Sequence, residues 1–405
     1  MKADATRSNF PQNVGKLGIP SVLVIGDTQH QQDPLQTLIR YAASEKYTVY
    51  TADHVRRHLH YFIEAGLKNV FWAPALNLRD WKIPFQQQRQ IPLSFVGQAG
   101  KFHPYRSSIL KRLSEEPDLG LKVGRATQEE SSKVYATSQC TLNLSMNGDV
   151  NLRVFEVLAA GGCLLTDRLH RQAGMDLLFD EGVHLDTFGC YDELRDKCHF
   201  YRNNPDEALK MAWRGYNEYK RSHTPKRKQQ QLIELAFKGW SDSAWNAQRD
   251  KRSLVCQSPD APTLFNRIRN YEYFQQKQLE GEEQHLLFSN KANRNLACDT
   301  ADLYRAQITS LDSLSQAFFK SAGVETEVRT TGNFPKERVS TYIISIDDVA
   351  DGTFAQKHTE LKTAQIMVED FPLQPKELQT SVTAELRACG FMICSDTPAI
   401  FLNLN

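Results

Sequence analysis

No stretch of this 405-residue chain approaches the roughly 20 consecutive apolar residues that a membrane-crossing helix needs. The opening Met1-Lys2-Ala3-Asp4-Ala5 has no apolar core of the signal-peptide kind either. Together these absences set the expectation of a cytoplasmic protein. An excess of one charge is missing as well: 49 Lys and Arg face 48 Asp and Glu. No global field therefore draws the chain to nucleic acid or to an anionic membrane, and neither is expected as a partner. The eight cysteines never form a C-x-x-C pair, so a zinc ribbon and a paired redox motif are excluded and reduced thiols are expected. His54 and His58 have an (i, i+4) spacing, but Arg56 and Arg57 lie between them and no third ligand is near, so no metal is expected.

What the chain does have is ordinary globular composition, 40% hydrophobic and 24% charged, and a length that allows two or three domains. One stretch stands out, Thr141 to Asp167, T-L-N-L-S-M-N-G-D-V-N-L-R-V-F-E-V-L-A-A-G-G-C-L-L-T-D. It reads as strand, turn at Asn147-Gly148-Asp149, helix, Gly-Gly stop and second strand. Asp149 or Asn151 caps the helix, Val150, Val154, Val157 and Leu158 recur at helical spacing, and Gly161 ends it. Such βαβ units place ligands at the helix N-terminus, beyond the carboxyl ends of the strands.

Arg153 and Glu156 share one side of that helix. A guanidinium beside helix N-terminal amides suits a diphosphate, whereas a carboxylate accepting two hydroxyl hydrogen bonds suits a ribose diol. The same spacing also suits a plain surface ion pair, which is common and individually weak.

The run N-L-R-V-F-E-V-L-A-A-G-G-C-L-L-T-D resembles the donor-site motif of two-Rossmann-domain (GT-B) glycosyltransferases, in particular the CgeB-like spore-maturation group. Y-F-I-E-A-G-L-K-N-V-F-W-A-P-A-L-N resembles that group's passage between its domains, and P-L-S-F-V-G-Q-A-G-K-F-H-P-Y-R the opening of its second domain. The resemblance covers about residues 50 to 240 and implies a sugar transferase. Its donor would be a nucleotide sugar, bound by Gly97, Lys101, Arg106, Asn151, Arg153 and Glu156, with Glu156 on the ribose. The acceptor, whether carbohydrate, protein or small molecule, is not specified. The wider retaining motif carries an acidic residue eight positions before the ribose glutamate. Here that position is Gly148, with Asp149 adjacent. No D-x-D triplet occurs, so the metal of single-Rossmann transferases is not indicated, and no cofactor is expected.

The resulting fold class is α/β, with two Rossmann-like domains of GT-B type, the first reduced, plus a C-terminal α/β module. The expected divisions are 1–90 for the reduced acceptor-side domain, 91–240 for the donor domain, 241–262 for a polar linker and 263–405 for the module. In the first domain, loops after strands carry Asp27, His30, Asp53 and His54. Asp27 and His30 are the preferred candidates for a catalytic base on an acceptor hydroxyl. The basic run from Lys220 to Lys228 reads as a solvated helix end. Within 263–405, I-T-S-L-D-S-L, Y-I-I-S-I-D-D, L-K-T-A-Q-I-M-V-E-D and L-R-A-C-G-F distantly resemble the back half of FkbM-like methyltransferases, though the glycine-rich turn for S-adenosylmethionine is missing. Two alternatives follow: a catalytically degenerate scaffold that keeps the fold, and a methyltransferase acting through the module.

Overall fold

The computed structural model describes residues 2–3, 10–29, 33–79, 83–100, 103–238, 247, 250–280, 284–289, 291–303, 306–310, 315–324, 329–330, 339–357, 363, 365–396 and 398–403. Among the described residues, three sheets carry the architecture. The first is parallel and small, in the order β1 (Lys2–Ala3), β2 (Val22–Ile25), β3 (Val49–Ala52) and β4 (Val70–Trp72). Helix α1 (Pro34–Ser44) packs on it through Leu35, Leu38, Ile39 and Ala42, a spacing that lays all four on one face. A short α2 (Leu59–Glu64) precedes β4. With four strands this unit is Rossmann-like but reduced.

The second sheet is wholly parallel, in the order β6 (Leu121–Gly124), β5 (Ile91–Val96), β7 (Ser138–Asn143), β8 (Leu164–Asp167) and β9 (Asp186–Phe188). Helices α3 (Pro104–Glu115), α4 (Gln128–Thr137), α5 (Leu152–Ala159), α6 (Tyr191–Asn203) and α7 (Pro205–Glu218) accompany it. The signals for α5 act as read: Val154, Val157 and Leu158 are fully buried, and Gly161 takes the left-handed conformation, φ +74°, that lets the chain turn back into β8. The basic run behaves otherwise than its composition suggests. A π-helical turn at Tyr219–His223 ends α7, and α8 (Pro225–Lys238) then carries Lys228 inward over the Phe155 ring, 5.8 Å from its centroid. Lys228 is therefore buried, not a solvated cap; burial lowers its pKa to about 8.

Inside the stretch that reads as polar linker lies α9 (Lys251–Val255), which buries Arg252. Its guanidinium pairs with Asp302 at 2.7 Å and Asp299 at 3.4 Å. The third sheet is mixed, in the order β12 (Arg329–Thr330), β11 (Ala306–Ser310), β10 (Gln284–Phe288), β13 (Thr341–Ile344), β14 (Gln365–Val368), β16 (Ala399–Asn403) and β15 (Phe391–Asp396). The last two strands are antiparallel additions to a parallel core.

Helix α10 (Ala261–Leu279) joins the three units. Asn266 and Asn270 donate to the carbonyl of Glu369, at the end of β14. Tyr271 meets His58 at 2.8 Å, and Glu272 accepts from the Leu35 amide at 2.7 Å and from Gln36 Nε2 at 3.0 Å. Gln275 donates to the Thr28 carbonyl beyond β2. Helix α11 (Arg294–Ala301) adds Asp299, which Arg267 of α10 meets at 3.0 Å, while Asp302 beyond it receives His170 of the second unit at 3.0 Å. Buried charges are therefore paired across the unit boundaries.

Candidate functional site

The carboxyl edge of the five-stranded sheet gathers most of the expected donor residues. Asn143 ends β7, and its Oδ1 accepts from Asn151 Nδ2 at 3.2 Å and from Arg153 Nη1 at 3.0 Å. Asn151 is the residue at the N-cap of α5, yet it caps through no side-chain bond; its amide is turned toward Asn143 instead. Arg153 lies over the Phe95 ring at 4.8 Å, an arrangement favourable to a cation. A Cβ built on Gly97 would come within 2.2 Å of Arg153 Nη2, so the absence of a side chain there is what admits the guanidinium.

Glu156 is half-buried on the same helix and makes no ion pair with Arg153 among the described residues. Burial raises its pKa, while the charges of Arg153 and then Arg79 pull it down. A carboxylate partly removed from water but flanked by cations keeps a strong acceptor without a committed donor.

Arg106, from the first turn of α3, donates Nη1 to the Gln98 carbonyl at 2.8 Å and Nη2 to the Leu144 carbonyl at 2.7 Å. It also lies over Phe95, at 5.6 Å. Burial first, then the like charge of Arg153, lowers its pKa to about 10, while Asp167 and Asp149 counter the shift. Asp167 itself is committed to structure: it accepts from the Ser145 amide at 2.9 Å and from the Ser145 hydroxyl. That bond fixes the loop from which α5 starts. Lys101 lies outside the described residues.

On the facing side, Asp27 is half-buried just after β2, and His30 lies outside the described residues. Asp53 is held by Asn77 and by His54 at 2.8 Å. His58 is used on both ring nitrogens, Nδ1 with Thr28 Oγ1 and Nε2 with Tyr271 Oη, both at 2.8 Å. Burial, then Arg57, holds its pKa well below the usual histidine range. It is a neutral bridging residue, and no cluster of metal-ligating type occurs among the described residues.

Two contributions to this edge had no signal in the sequence. Arg57 reaches across from the first unit to the Gly148 carbonyl at 3.3 Å. Gln278 and Leu279, at the end of α10, close a cavity of about 20 Å³ against His103, Arg106, Ser145 and Met146. Spacing along the chain could reveal neither, since each bridges large sequence separations. A wider recess, about 320 Å³, opens beyond β8 between Arg168, Phe179, Glu181 and Thr187.

No curated protein matches the chain. Solved structures that overlap part of it include TarM, at 7% identity and a TM-score of 0.39, where the overlap takes in 53% of this chain and 54% of TarM. The chain thus spans about half the length of that protein. Anabaena HepE, solved with UDP and glucose, gives 12% identity, a TM-score of 0.40, and coverage of 53% and 71%. Sucrose-phosphate synthase from Thermosynechococcus elongatus gives 10% identity, a TM-score of 0.37, and coverage of 53% and 66%. Independently of these, residues 89–234, the five-stranded unit with α3 to α7 and most of α8, match the family model described as glycosyl transferase-like.

Proposed function

We propose that this chain transfers a sugar from a nucleotide-sugar donor to an acceptor, as a CgeB-like transferase of GT-B type. The observation that carries the reading is the arrangement on α5. Arg153, and not a neutral residue, stands in the first turn beside the glycine-opened loop of β5, and an uncommitted Glu156 follows on the same face. This arrangement lies within the segment that matches the glycosyl transferase-like family. Arg153 and Arg106 would meet the donor diphosphate, whose negative charge grows as the glycosidic bond breaks; prearranged cations in a partly buried site favour that change without a metal. Glu156 would accept from the ribose diol, and Asn151 and the amides of the α5 N-terminus would complete the cradle. Asp27 is the proposed base on the acceptor side. The protein would act in the cytoplasm.

The experiment is a thermal-shift screen with a panel of sugar nucleotides. A donor present at 100 times its dissociation constant adds about 2.7 kcal/mol of stability. One observation favours the alternative of a non-catalytic scaffold: α10 leaves only about 20 Å³ beside Arg106. A panel without any shift would decide for that alternative.

A further inference from the structure

The cavity between α10 and the second unit contains an imbalance. Gln278 is 2% exposed, and neither atom of its side-chain amide has a hydrogen-bond partner among the described residues. Arg106, on the opposite wall, is 8% exposed and its Nε also has no partner among the described residues. Buried polar groups are nearly always paired, and an unpaired one is costly, so two such donors around one small space call for an acceptor that enters it. The Ser145 hydroxyl on the same wall is already given to Asp167. The end of α10 is not there by chance: Tyr271, Glu272 and Gln275 tie the helix to the first unit, and Asn266 and Asn270 tie it to the third.

We propose that this cavity receives one oxygen of a donor phosphate, held jointly by Arg106 and by Gln278, so that the C-terminal module completes the donor site. The inference rests on the donor reading above. Two N–H donors, one of them cationic, match the acceptor-only oxygens of a phosphate. At about 20 Å³ the space admits little more than one water-sized group, which fits a phosphate oxygen and not a sugar ring. A guanidinium buried next to Arg153 is made less unfavourable by an anion than by water, which is why a phosphate is preferred to a resident water molecule.

The test is calorimetric titration of UDP, GDP, ADP, uridine and pyrophosphate into the full chain, its Gln278→Leu variant and its Gln278→Glu variant. Losing one hydrogen bond to a charged group corresponds to a drop of about tenfold or more. The expected result is that drop for the preferred nucleoside diphosphate in Gln278→Leu, no change for uridine, and a larger drop in Gln278→Glu. Gln278→Leu should also melt no lower than wild type, because an unpaired amide has been removed. Pyrophosphate should compete with the nucleotide and weaken in the same variants.

A Gln278→Leu variant that binds nucleoside diphosphate as tightly as wild type overturns the inference and leaves the donor reading intact. So does pyrophosphate that binds alongside the nucleotide without competing, since a free anion then occupies the cavity. A Gln278→Leu variant with lowered melting and unchanged affinity assigns the cavity to a buried water and overturns it too. Wild-type protein that binds none of the nucleotides overturns the donor reading itself, and this inference falls with it.

Discussion

Arg153 and Glu156 stand three residues apart on α5 without pairing: the guanidinium goes to Asn143 Oδ1 at 3.0 Å, and the carboxylate keeps no hydrogen-bond partner among the described residues. Replacing Glu156 by Gln keeps the shape and removes the charge that makes its hydrogen bonds to a diol about twice as strong as neutral ones. Donor affinity should fall about tenfold. The melting temperature should hold or rise, because burial already disfavours the charged form. Titration calorimetry and a melting curve on one preparation check both halves. Unchanged affinity with lowered melting would return Glu156 to a structural role.

Gly97 offers a second test from the other side. A methyl group at this position would meet Arg153 Nη2 at 2.2 Å, and the end of a flexible side chain can move away. Gly97→Ala should therefore displace the guanidinium, with some loss of stability because Gly97 sits at φ +157°, and weaken nucleoside diphosphate binding about as much as Arg153→Ala does. The double variant should be no worse than either single one, because both remove the same contact. Fully additive losses would separate Gly97 from Arg153.

Glu272 makes a prediction in pH. Burial lifts its pKa from the ordinary 4.5 to about 7, against the lowering effect of hydrogen bonds from Gln36 and Leu35. The folded state thus keeps a proton that the unfolded chain has lost between pH 4.5 and 7. Stability from this group is complete below 4.5 and declines as pH rises through that window, by about 3 kcal/mol in all. Glu272→Gln cannot lose the proton, so the melting temperature of the variant relative to wild type should climb from pH 4.5 to 7.5. A constant difference across that range would mean that the carboxyl is already ionised in the folded protein.

The parts of this architecture legible in the sequence are those governed by local rules. The α5 helix was legible because Val154, Val157 and Leu158 follow helical spacing and Gly161 supplies the left-handed stop. The two parallel sheets follow from alternating strand and helix patterns. Lys228 was misread because a basic run looks solvated until the π-helical turn at Tyr219–His223 rotates one lysine inward. The position of α10 could not be read at all: Glu272 meets Leu35 across 237 residues, and nothing in local composition encodes such a contact. Gln278 was missed for the same reason, since a glutamine in a polar helix end carries no signal until a second unit buries it.

The same long-range contacts predict how the units unfold. Asp302 receives Arg252 at 2.7 Å and His170 at 3.0 Å, and all three belong to different segments. Breaking a buried pair while leaving its partner in place typically costs about 3–5 kcal/mol. Asp302→Asn should lower the calorimetric transition by that order and split one peak into two, as the second unit loses its tie to the module. A single peak at the wild-type temperature would show that the pair adds nothing to the coupling.

Asp27 carries the last prediction, and it divides an enzyme from a binding protein. It follows β2 in a loop that is held on both sides: Thr28 Oγ1 bonds His58 at 2.8 Å, and the Thr28 carbonyl accepts from Gln275 at 3.3 Å. A side chain on so fixed a loop is presented at a constant place at the carboxyl edge of the first sheet, which suits proton abstraction better than a mobile one. A general base typically contributes about 10² to 10⁴ in rate and nothing to binding of the donor. Asp27→Asn should accordingly reduce sugar transfer, or hydrolysis of the donor where no acceptor is added, by about that factor. Nucleotide affinity, which the proposed donor site assigns to Arg153, Glu156 and Arg106, should stay within twofold or so of wild type. Were turnover to survive the substitution at every pH, Asp27 would be no base, and a retaining mechanism that needs none would take its place.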